Sequence, residues 1–423
     1  MATDPTLAAS AKRVIADLKE LAQLTSDANG AQRVAWGPIF KKTRAWFAEK
    51  VKRELNLDIH LDSAGNQWVT IPGDSDAAIL VAGHLDSVPN GGWLDGCLGT
   101  LSALEILRRY AARPNKPVTL KLVDWADEEG ARFGRSLVGS SAAGGSLNIE
   151  DIRNLKDREG ITQAEALKDC GVNIDRMLDA HKELKQINAK AYLELHIEQG
   201  PVLESMQKPT GVVLGTFGVE RHTLKFTGQA AHSGSTPIPM RRDAFLAAAQ
   251  FALAVREIGL KYSKPGANVV CTCGIVKVEP CIVTAVPGVC EISIDQRALN
   301  ADVLANMLKE AKEAATKAAQ DNNVALEWKK LWTIEPRPFD PKLIALAEDA
   351  VREITGDAPK LPSGPLHDSA EMVPHMPVIM MFAYSSRGLS HCKEEDTPIE
   401  HLDQTLQAFL LLADKCLANV AAG

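Results

Sequence analysis

The apolar run "AAILVAGH" at residues 77–84 is the feature that most limits how this chain can fold. A continuous apolar run of this length is typical of a strand buried on both faces, as in parallel sheets that are covered by helices. A predicted helix over residues 98–110 and a second apolar run, "PVTLKLVDWAD", follow it. This strand–helix–strand order predicts a βαβ unit, and therefore an α/β fold with a mostly parallel central sheet.

A change of sequence pattern divides the chain into two predicted domains. The 423 residues exceed the size at which one hydrophobic core keeps growing. Residues 215–328 contain alternating strand patterns and two long helical patterns, which indicates an inserted α+β domain. Residues 1–214 and 329–423 keep the α/β pattern. We therefore predict a discontinuous α/β domain interrupted by a smaller one.

Composition excludes several classes of partner and location. The formal net charge of −7 argues against nucleic acid or an anionic membrane as the main partner. No apolar run approaches the roughly 20 residues that span a bilayer, and the N-terminal sequence lacks the apolar stretch of a signal peptide. The eight cysteines form no CxxC pair, which favours reduced thiols. The sequence thus predicts a cytoplasmic protein whose main partner is neither nucleic acid nor a membrane.

Ionisable side chains gather where four apolar runs end. The candidates are His84, Asp86 and Asp95 after the first run, Asp127, Glu128 and Glu129 after the second, Glu194, His196 and Glu198 in the third, and His391 after the fourth. Ligands of open α/β sheets bind beyond the carboxyl ends of the strands, so these groups should converge. Any one of them alone would be an ordinary structural histidine or solvated turn. Together, the carboxylates would repel one another without a cation, and an imidazole and carboxylate set suits zinc, cobalt or manganese.

The motifs around these residues resemble a known enzyme family. They are "GHLDSVPNGGWLDG", "DEEGARFG", "ELHIEQGPVLE", "GQAAHSGSTP", "VPG…ISIDQR", "LPSGPLHDSAEM" and "GLSHCKEED". They resemble the metal-dependent amidohydrolase branch of the aminoacylase and carboxypeptidase-G-like metallopeptidases, from about residue 10 to the C-terminus. Within that branch, "HIEQGPVLE" resembles the N-carbamoyl-L-amino-acid amidohydrolases, with β-ureidopropionases and allantoate amidohydrolases beside them.

The resemblance implies two divalent metal ions per subunit, Zn, Mn or Co. By position in the motifs, His84 and His196 would bind one ion, while Glu129 and His391 would bind the second. Asp95 would bridge the two ions. The glycines of the turn would let the chain bring Asp95 back beside His84.

Further residues are implied in catalysis and substrate binding. Glu128 would be the general base toward a metal-activated water, and Asp86 would orient the ring of His84. His232 would stabilise the developing oxyanion, Arg297 would clamp a substrate carboxylate, and Gln199 would hydrogen-bond substrate. In the family the inserted domain also forms a homodimer interface, so His232 would serve either its own or the partner's site.

Four positions depart from the family pattern. Thr284 replaces an asparagine, Leu366 replaces a glycine, Ser141 replaces an arginine, and Trp93 replaces an arginine or lysine. These positions surround the substrate and not the metals. A flatter or more apolar substrate than carbamoyl-β-alanine or allantoate is one hypothesis, with Trp93 as a stacking face. The alternative is that Trp93 only packs on the turn.

The predicted function is hydrolysis of a C–N bond other than a peptide bond, with an N-carbamoyl-L-amino acid as the first substrate class. Another ureido or N-acyl amino acid, or an aromatic acid acted on by an amidase or deaminase, is the alternative. A non-catalytic binding protein would have lost the base or a ligand, and a structural zinc site would be rich in cysteine. The sequence has neither feature.

Overall fold

A computed structural model describes residues 5–264 and 269–422. The outer bounds of the predicted α/β domain, residues 1 and 423, lie outside the described residues. The chain divides into two compact units. The first unit runs up to Leu214 and resumes over Phe339–Leu361 and from Leu366 to the C-terminal end. The second unit comprises Gly215–Pro338 and Pro362–Pro365.

The first unit is an α/β unit around a mixed sheet. From one edge, the order of its main strands is Thr210–Thr216, Val378–Ala383, Ala189–Ile197, Ala78–His84, Thr119–Trp125, Gln67–Ile71 and His60–Leu61. The four strands from Val378–Ala383 to Thr119–Trp125 are parallel, and antiparallel strands flank them on both sides. The predicted α/β class is confirmed, with the parallel strands concentrated in the middle of the sheet.

Helices cover both faces of this sheet, which is why its middle strands are continuous apolar runs. The helices of the first unit are Pro5–Thr25, Pro38–Leu55, Cys97–Ala111, Val138–Gly144, Ile149–Arg153, Gln163–Asp169, Asp179–Lys185, Val202–Met206, Pro341–Thr355, Asp368–Met372 and Ile399–Ala422. Side chains alternate along each strand, so one face contributes to each of two cores. Ile79 and Val81 lie in the first core, and Leu80 and Ala82 lie in the second core. Burial of both faces fixes the register that brings His84 to the end of its strand.

The second unit contains a five-stranded antiparallel sheet, a separate pair of short strands and two long helices. Its strands are Gly218–Thr227, Ala231–His232, Val270–Thr272, Val276–Glu279, Ala285–Val286, Val289–Ala298, Ala325–Ile334 and Arg337–Pro338, and its α-helices are Ala244–Tyr262 and Ala301–Asp321. The long strand Val289–Ala298 lies beside Gly218–Thr227, which also pairs with Ala325–Ile334. Phe226, Phe251 and Met307 belong to the core between sheet and helices.

The second unit continues ten residues beyond the predicted boundary at residue 328. The strand Ala325–Ile334 pairs along its length with Gly218–Thr227, so residue 328 lies inside a strand. Arg337 and Pro338 then pair with Thr216 and Gly215. The compact unit and the predicted domain differ at this end because the strand continues past Trp328 with mostly exposed side chains, which the sequence pattern did not indicate.

One helix among the described residues, Ile399–Ala422, is long and apolar enough to cross a membrane by length and composition. Its apolar side chains are instead part of the first core: Leu402, Leu406, Phe409 and Leu412 are fully buried there. Burial of this kind is typical of a helix that packs in a protein core.

Candidate metal centre

A tight turn brings Asp95 back to the end of the strand that carries His84. Gly96 has φ +66°, a conformation that side chains other than glycine rarely adopt. A Cβ atom at Gly96 would lie 2.2 Å from Cε1 of His84. Glycine is therefore required at this position, as the sequence pattern predicted. His196 lies on the neighbouring parallel strand, Ala189–Ile197, so both histidines reach the same edge.

His84, His196 and Asp95 form the first donor group, and all three are buried. Nε2 of His196 lies 3.1 Å from Oδ1 of Asp95, and Nε2 of His84 lies 3.5 Å from the same oxygen. Burial acts to raise the pKa of Asp95, but the rings of His196 and His84 outweigh it and hold the pKa well below its usual range. An ionised carboxylate oxygen therefore faces two imidazole nitrogens.

The other nitrogen of each ring fixes which tautomer is present. Nδ1 of His196 donates to the carbonyl of Ile197 at 2.9 Å, and Nδ1 of His84 donates to the carbonyl of Asp86 at 3.2 Å. In a neutral imidazole this leaves Nε2 with its lone pair directed at Asp95. A lone pair that faces a carboxylate oxygen needs a proton or a cation between the two. Nε2 of His84 has no hydrogen-bond partner among the described residues, which fits a ligand atom.

Asp95, Glu129 and His391 form the second donor group. Nε2 of His391 lies 3.5 Å from Oδ2 of Asp95 and 3.3 Å from Oε2 of Glu129. Oε1 of Glu129 is buried and has no hydrogen-bond partner among the described residues. The two oxygens of Asp95 thus serve different groups, as a bridging carboxylate does. Imidazole and carboxylate donors in both groups fit divalent ions such as zinc, manganese or cobalt.

Glu128 lies beside the first group, and Asp86 holds it in place. Oε2 of Glu128 is 3.8 Å from Nε2 of His84. Burial raises the pKa of Glu128 well above its usual range, and the nearby carboxylate of Asp368 raises it further. The carboxylate of Asp86 accepts hydrogen bonds from the backbone N–H groups of Glu128 and Glu129, at 3.3 and 3.2 Å, and its Oδ1 is 3.5 Å from Nδ1 of His84. Asp86 therefore contacts both the ring of His84 and the segment that carries the two glutamates.

Three other acidic candidates hold the framework together. Asp127 accepts a hydrogen bond from the indole N–H of Trp36 at 2.6 Å. Glu194 accepts from the hydroxyl of Tyr192, and Glu198 accepts from the first backbone N–H groups of the helix Val202–Met206. Their partners are structural groups, so these acids were candidates by position only.

Sequence reasoning missed four residues of this centre, although the motifs quoted above contain all of them. The ring of His367 lies 4.3 Å from that of His196, centroid to centroid, and its Nε2 is buried without a hydrogen-bond partner among the described residues. Asp368 is fully buried next to it. Ser390 and Glu395 surround Asp95, and burial together with the charge of Asp95 raises the pKa of Glu395 to about 7. Adjacent histidine and aspartate in "PLHD" was the signal available for the first pair.

The residues of the first unit that the sequence suggested to be near substrate differ in their burial and in their hydrogen-bond partners. Nε2 of Gln199 lies 2.9 Å from Oδ2 of Asp95 and 3.2 Å from Nε2 of His391, so Gln199 reaches the second donor group. Trp93 packs against the first core and donates its indole N–H to Asp396 at 3.1 Å. These contacts favour the packing alternative for Trp93. Leu366 is partly buried, whereas Ser141 is fully buried and donates to a backbone carbonyl.

The second unit contains His232, Thr284 and Arg297. His232 is exposed, and its Nδ1 accepts from the backbone N–H of Gly234 at 3.1 Å, so Nε2 is the nitrogen available to donate. The N–H of Ser233 donates to the carbonyl of Thr284 at 2.9 Å, which brings Thr284 beside His232. Arg297 donates to both carboxylate oxygens of Asp295, at 2.8 and 3.4 Å. The predicted carboxylate clamp thus already binds a carboxylate of its own strand.

Comparison with known proteins relates the chain to a peptidase family and to amidohydrolases. Residues 80–415 match the family model described as peptidase family M20/M25/M40. The chain is 35% identical over 348 residues to an N-carbamoyl-L-amino acid amidohydrolase of Geobacillus stearothermophilus, covering 81% of this chain and 83% of that one. It is 29% identical over 388 residues to an allantoate amidohydrolase of Escherichia coli (strain K12), covering 91% and 92%.

Solved structures of hydantoinase/carbamoylase family amidases are also similar to this chain. A hydantoinase/carbamoylase family amidase from Burkholderia multivorans is similar with a TM-score of 0.83 and 29% identity, covering 95% of this chain and 97% of that one. The family match extends over most of the chain and includes every residue of both donor groups. The chain therefore belongs to peptidase family M20/M25/M40.

Proposed function

We propose that this protein hydrolyses the ureido group of an N-carbamoyl-L-amino acid and releases the amino acid, carbon dioxide and ammonia. Family membership makes it a metal-dependent amidohydrolase of the carbamoylase type. The observation that carries the proposal is Asp95, whose two oxygens face two separate donor groups with Glu128 beside one of them. The relative from Geobacillus stearothermophilus supports the choice of substrate class.

The donor groups would hold two divalent cations per subunit, with zinc, manganese or cobalt as candidates. His84 and His196 would hold one cation, Glu129 and His391 would hold the other, and Asp95 would contact both. When bound, such cations polarise a carbonyl oxygen and lower the pKa of water. They would also neutralise a buried cluster of carboxylates that is otherwise costly to ionise.

The protein's own residues supply the proton transfers and the orientation of substrate. Glu128 takes a proton from the attacking water and returns it to the nitrogen that leaves as the C–N bond breaks. The exposed Nε2 of His232 would donate to the oxyanion. Arg297 would bind the substrate carboxylate with the N–H groups that Asp295 and the carbonyl of Gly364 do not use, and Gln199 would hydrogen-bond the substrate at the second donor group.

The proposal also includes a cytoplasmic homodimer formed through the second unit. One face of the helix Ala244–Tyr262 carries exposed apolar side chains, among them Leu246, Leu253 and Leu260. Phe245, Leu253 and Val276 line an apolar cavity of about 360 Å³ on this unit. An exposed apolar face of this kind marks an association surface. All eight cysteines are free thiols, which agrees with a reducing compartment.

A substrate panel on metal-reconstituted enzyme tests the substrate class and the base together. We expect the highest kcat/KM on N-carbamoyl-L-amino acids, above allantoate, carbamoyl-β-alanine, N-acyl amino acids and aromatic amides. Glu128→Gln should lower kcat by roughly 10²- to 10⁴-fold because the amide cannot accept the proton. The exposed Glu159→Gln is the matched control and should keep full activity. Full activity of Glu128→Gln would exclude it as the base, and a preference for another substrate class would replace the first proposal with that class.

Trp93→Phe tests whether Trp93 contacts substrate or only packs. The substitution removes the hydrogen bond to Asp396, so we expect a loss of about 1 kcal/mol in unfolding free energy, measured by urea denaturation, with substrate preference unchanged. Trp46→Phe is the control, since its indole N–H donates to Glu20 in the same way. A shift in preference between aromatic and aliphatic substrates with Trp93→Phe alone would instead support the stacking hypothesis.

Leu253→Asp tests the homodimer. Light scattering should give twice the chain mass of 45.6 kDa for the wild type and the single-chain mass for the variant, because a charge in an apolar interface is costly. Leu61→Asp, at a similarly exposed leucine of the first unit, should remain dimeric. A monomeric wild type, or a dimeric Leu253→Asp protein, would contradict an interface on this helix.

A further inference from the structure

The two donor groups differ in how firmly the fold holds their histidines. His84 and His196 lie on adjacent strands of the central sheet and are fully buried. His391 lies in the segment between the strand Val378–Ala383 and the helix Ile399–Ala422, and half of its side chain is exposed. Its backbone φ of +57° is a left-handed conformation that costs energy for a histidine. The position of His391 therefore depends on contacts that hold this segment against the Asp95 turn.

Glu395 makes those contacts. Its Oε1 accepts hydrogen bonds from the backbone N–H groups of Leu94 and Asp95, at 3.2 and 3.0 Å, and the residue is only 2% exposed. Its Oε2 lies 3.1 Å from the hydroxyl of Ser390, the residue just before His391. Gly92 leaves the space for this carboxylate, because a Cβ atom there would lie 2.1 Å from Oε1. One buried side chain thus connects the Asp95 turn to the segment that carries His391.

Ser390 extends the connection to Oδ2 of Asp95, the oxygen that faces the second donor group. Its hydroxyl lies 3.0 Å from Oδ2 of Asp95, and Gln199 donates to the same hydroxyl at 3.1 Å. Among the contacts of Glu395, none involves His84 or His196. The indole of Trp93 also bonds Asp396 across the same two segments, so the segments stay connected when the carboxylate of Glu395 is removed.

We propose that Glu395 is a positioning residue that sets the affinity of the second cation site, and that it does so by fixing His391 relative to Asp95. The inference rests on the proposed function, in which two cations are bound. Partners that orient metal ligands typically contribute 10- to 100-fold to metal affinity. Glu395 is expected to contribute on this scale to the second site and less to the first, because Asp95 belongs to both sites while the central sheet holds His84 and His196.

Calorimetric titration of the metal-stripped protein with Co²⁺ tests the inference, with the thermal unfolding of the metal-free protein measured in parallel. The wild type should show two classes of sites. Glu395→Ala should weaken the second class by roughly 10- to 100-fold and the first class by less, because Asp95 belongs to both donor groups. It should also lower the metal-free unfolding temperature, because it leaves two buried backbone N–H groups without an acceptor. Glu395→Gln keeps an acceptor for the two backbone N–H groups and should show a smaller loss. Glu394→Gln, at the exposed neighbouring glutamate, should change neither class.

Ser390→Ala supplies a second variant in case Glu395→Ala does not fold, because it removes one end of the same connection. It should also weaken the second class more than the first. Equal weakening of both classes, or an unchanged second class in both variants, would overturn the inference while the two-cation proposal stands. A wild type with a single class of sites would contradict the two-cation proposal itself, and this inference with it.

Discussion

The Asp95 carboxylate is the constraint on which the rest of the site depends. One of its oxygens faces His84 and His196, and the other faces His391. Imidazole lone pairs and carboxylate oxygens at these distances require a proton or a cation between them, and two separate groups require two. The position of this buried carboxylate beside His84 also explains why the next residue, Gly96, is a glycine, and Glu395 binds the backbone N–H of Asp95. The side chain of Asp95 thus lies close to the ends of two strands of the sheet, to Glu129, and to the segment that carries His391.

The first donor group and the residues proposed to contact substrate lie in parts of the fold that differ in burial. Parallel strands that are buried on both faces hold the first donor group, and their register leaves His84 and His196 little freedom. Several residues proposed to contact substrate lie on more exposed segments: His232 on a short strand of the second unit, Thr284 in the turn before the strand Ala285–Val286, and Gln199 after a strand end. Such a division is useful to a hydrolase, because ligand geometry must persist while substrate contacts change with each turnover.

Strong local patterns predicted the fold class and a cluster of ionisable residues at the strand ends, whereas the family resemblance implied the division of that cluster into two donor groups. Apolar runs identified the parallel strands, and the ends of those strands carried His84, Glu129 and His196. The sequence did not predict the role of Glu395, because an acid in "CKEED" is usually solvated and only the tertiary contact with Gly92 and Asp95 buries it. Trp93 stood out in the sequence for its size, but its position against the first core and its bond to Asp396 depend on a segment three hundred residues later. The exposed strand Ala325–Ile334 lacked the apolar alternation that would have extended the second unit to Pro338.

The most direct test of this account is a crystal structure of the metal-loaded protein, with anomalous diffraction measured at the absorption edge of the bound metal. The account predicts two anomalous peaks, one on each side of the Asp95 carboxylate, each about 2.0–2.2 Å from one of its oxygens. One peak should contact Nε2 of His84 and His196, and the other should contact Glu129 and Nε2 of His391. A single peak, or a second peak that does not touch Asp95, would contradict the bridging role on which the proposed chemistry is built.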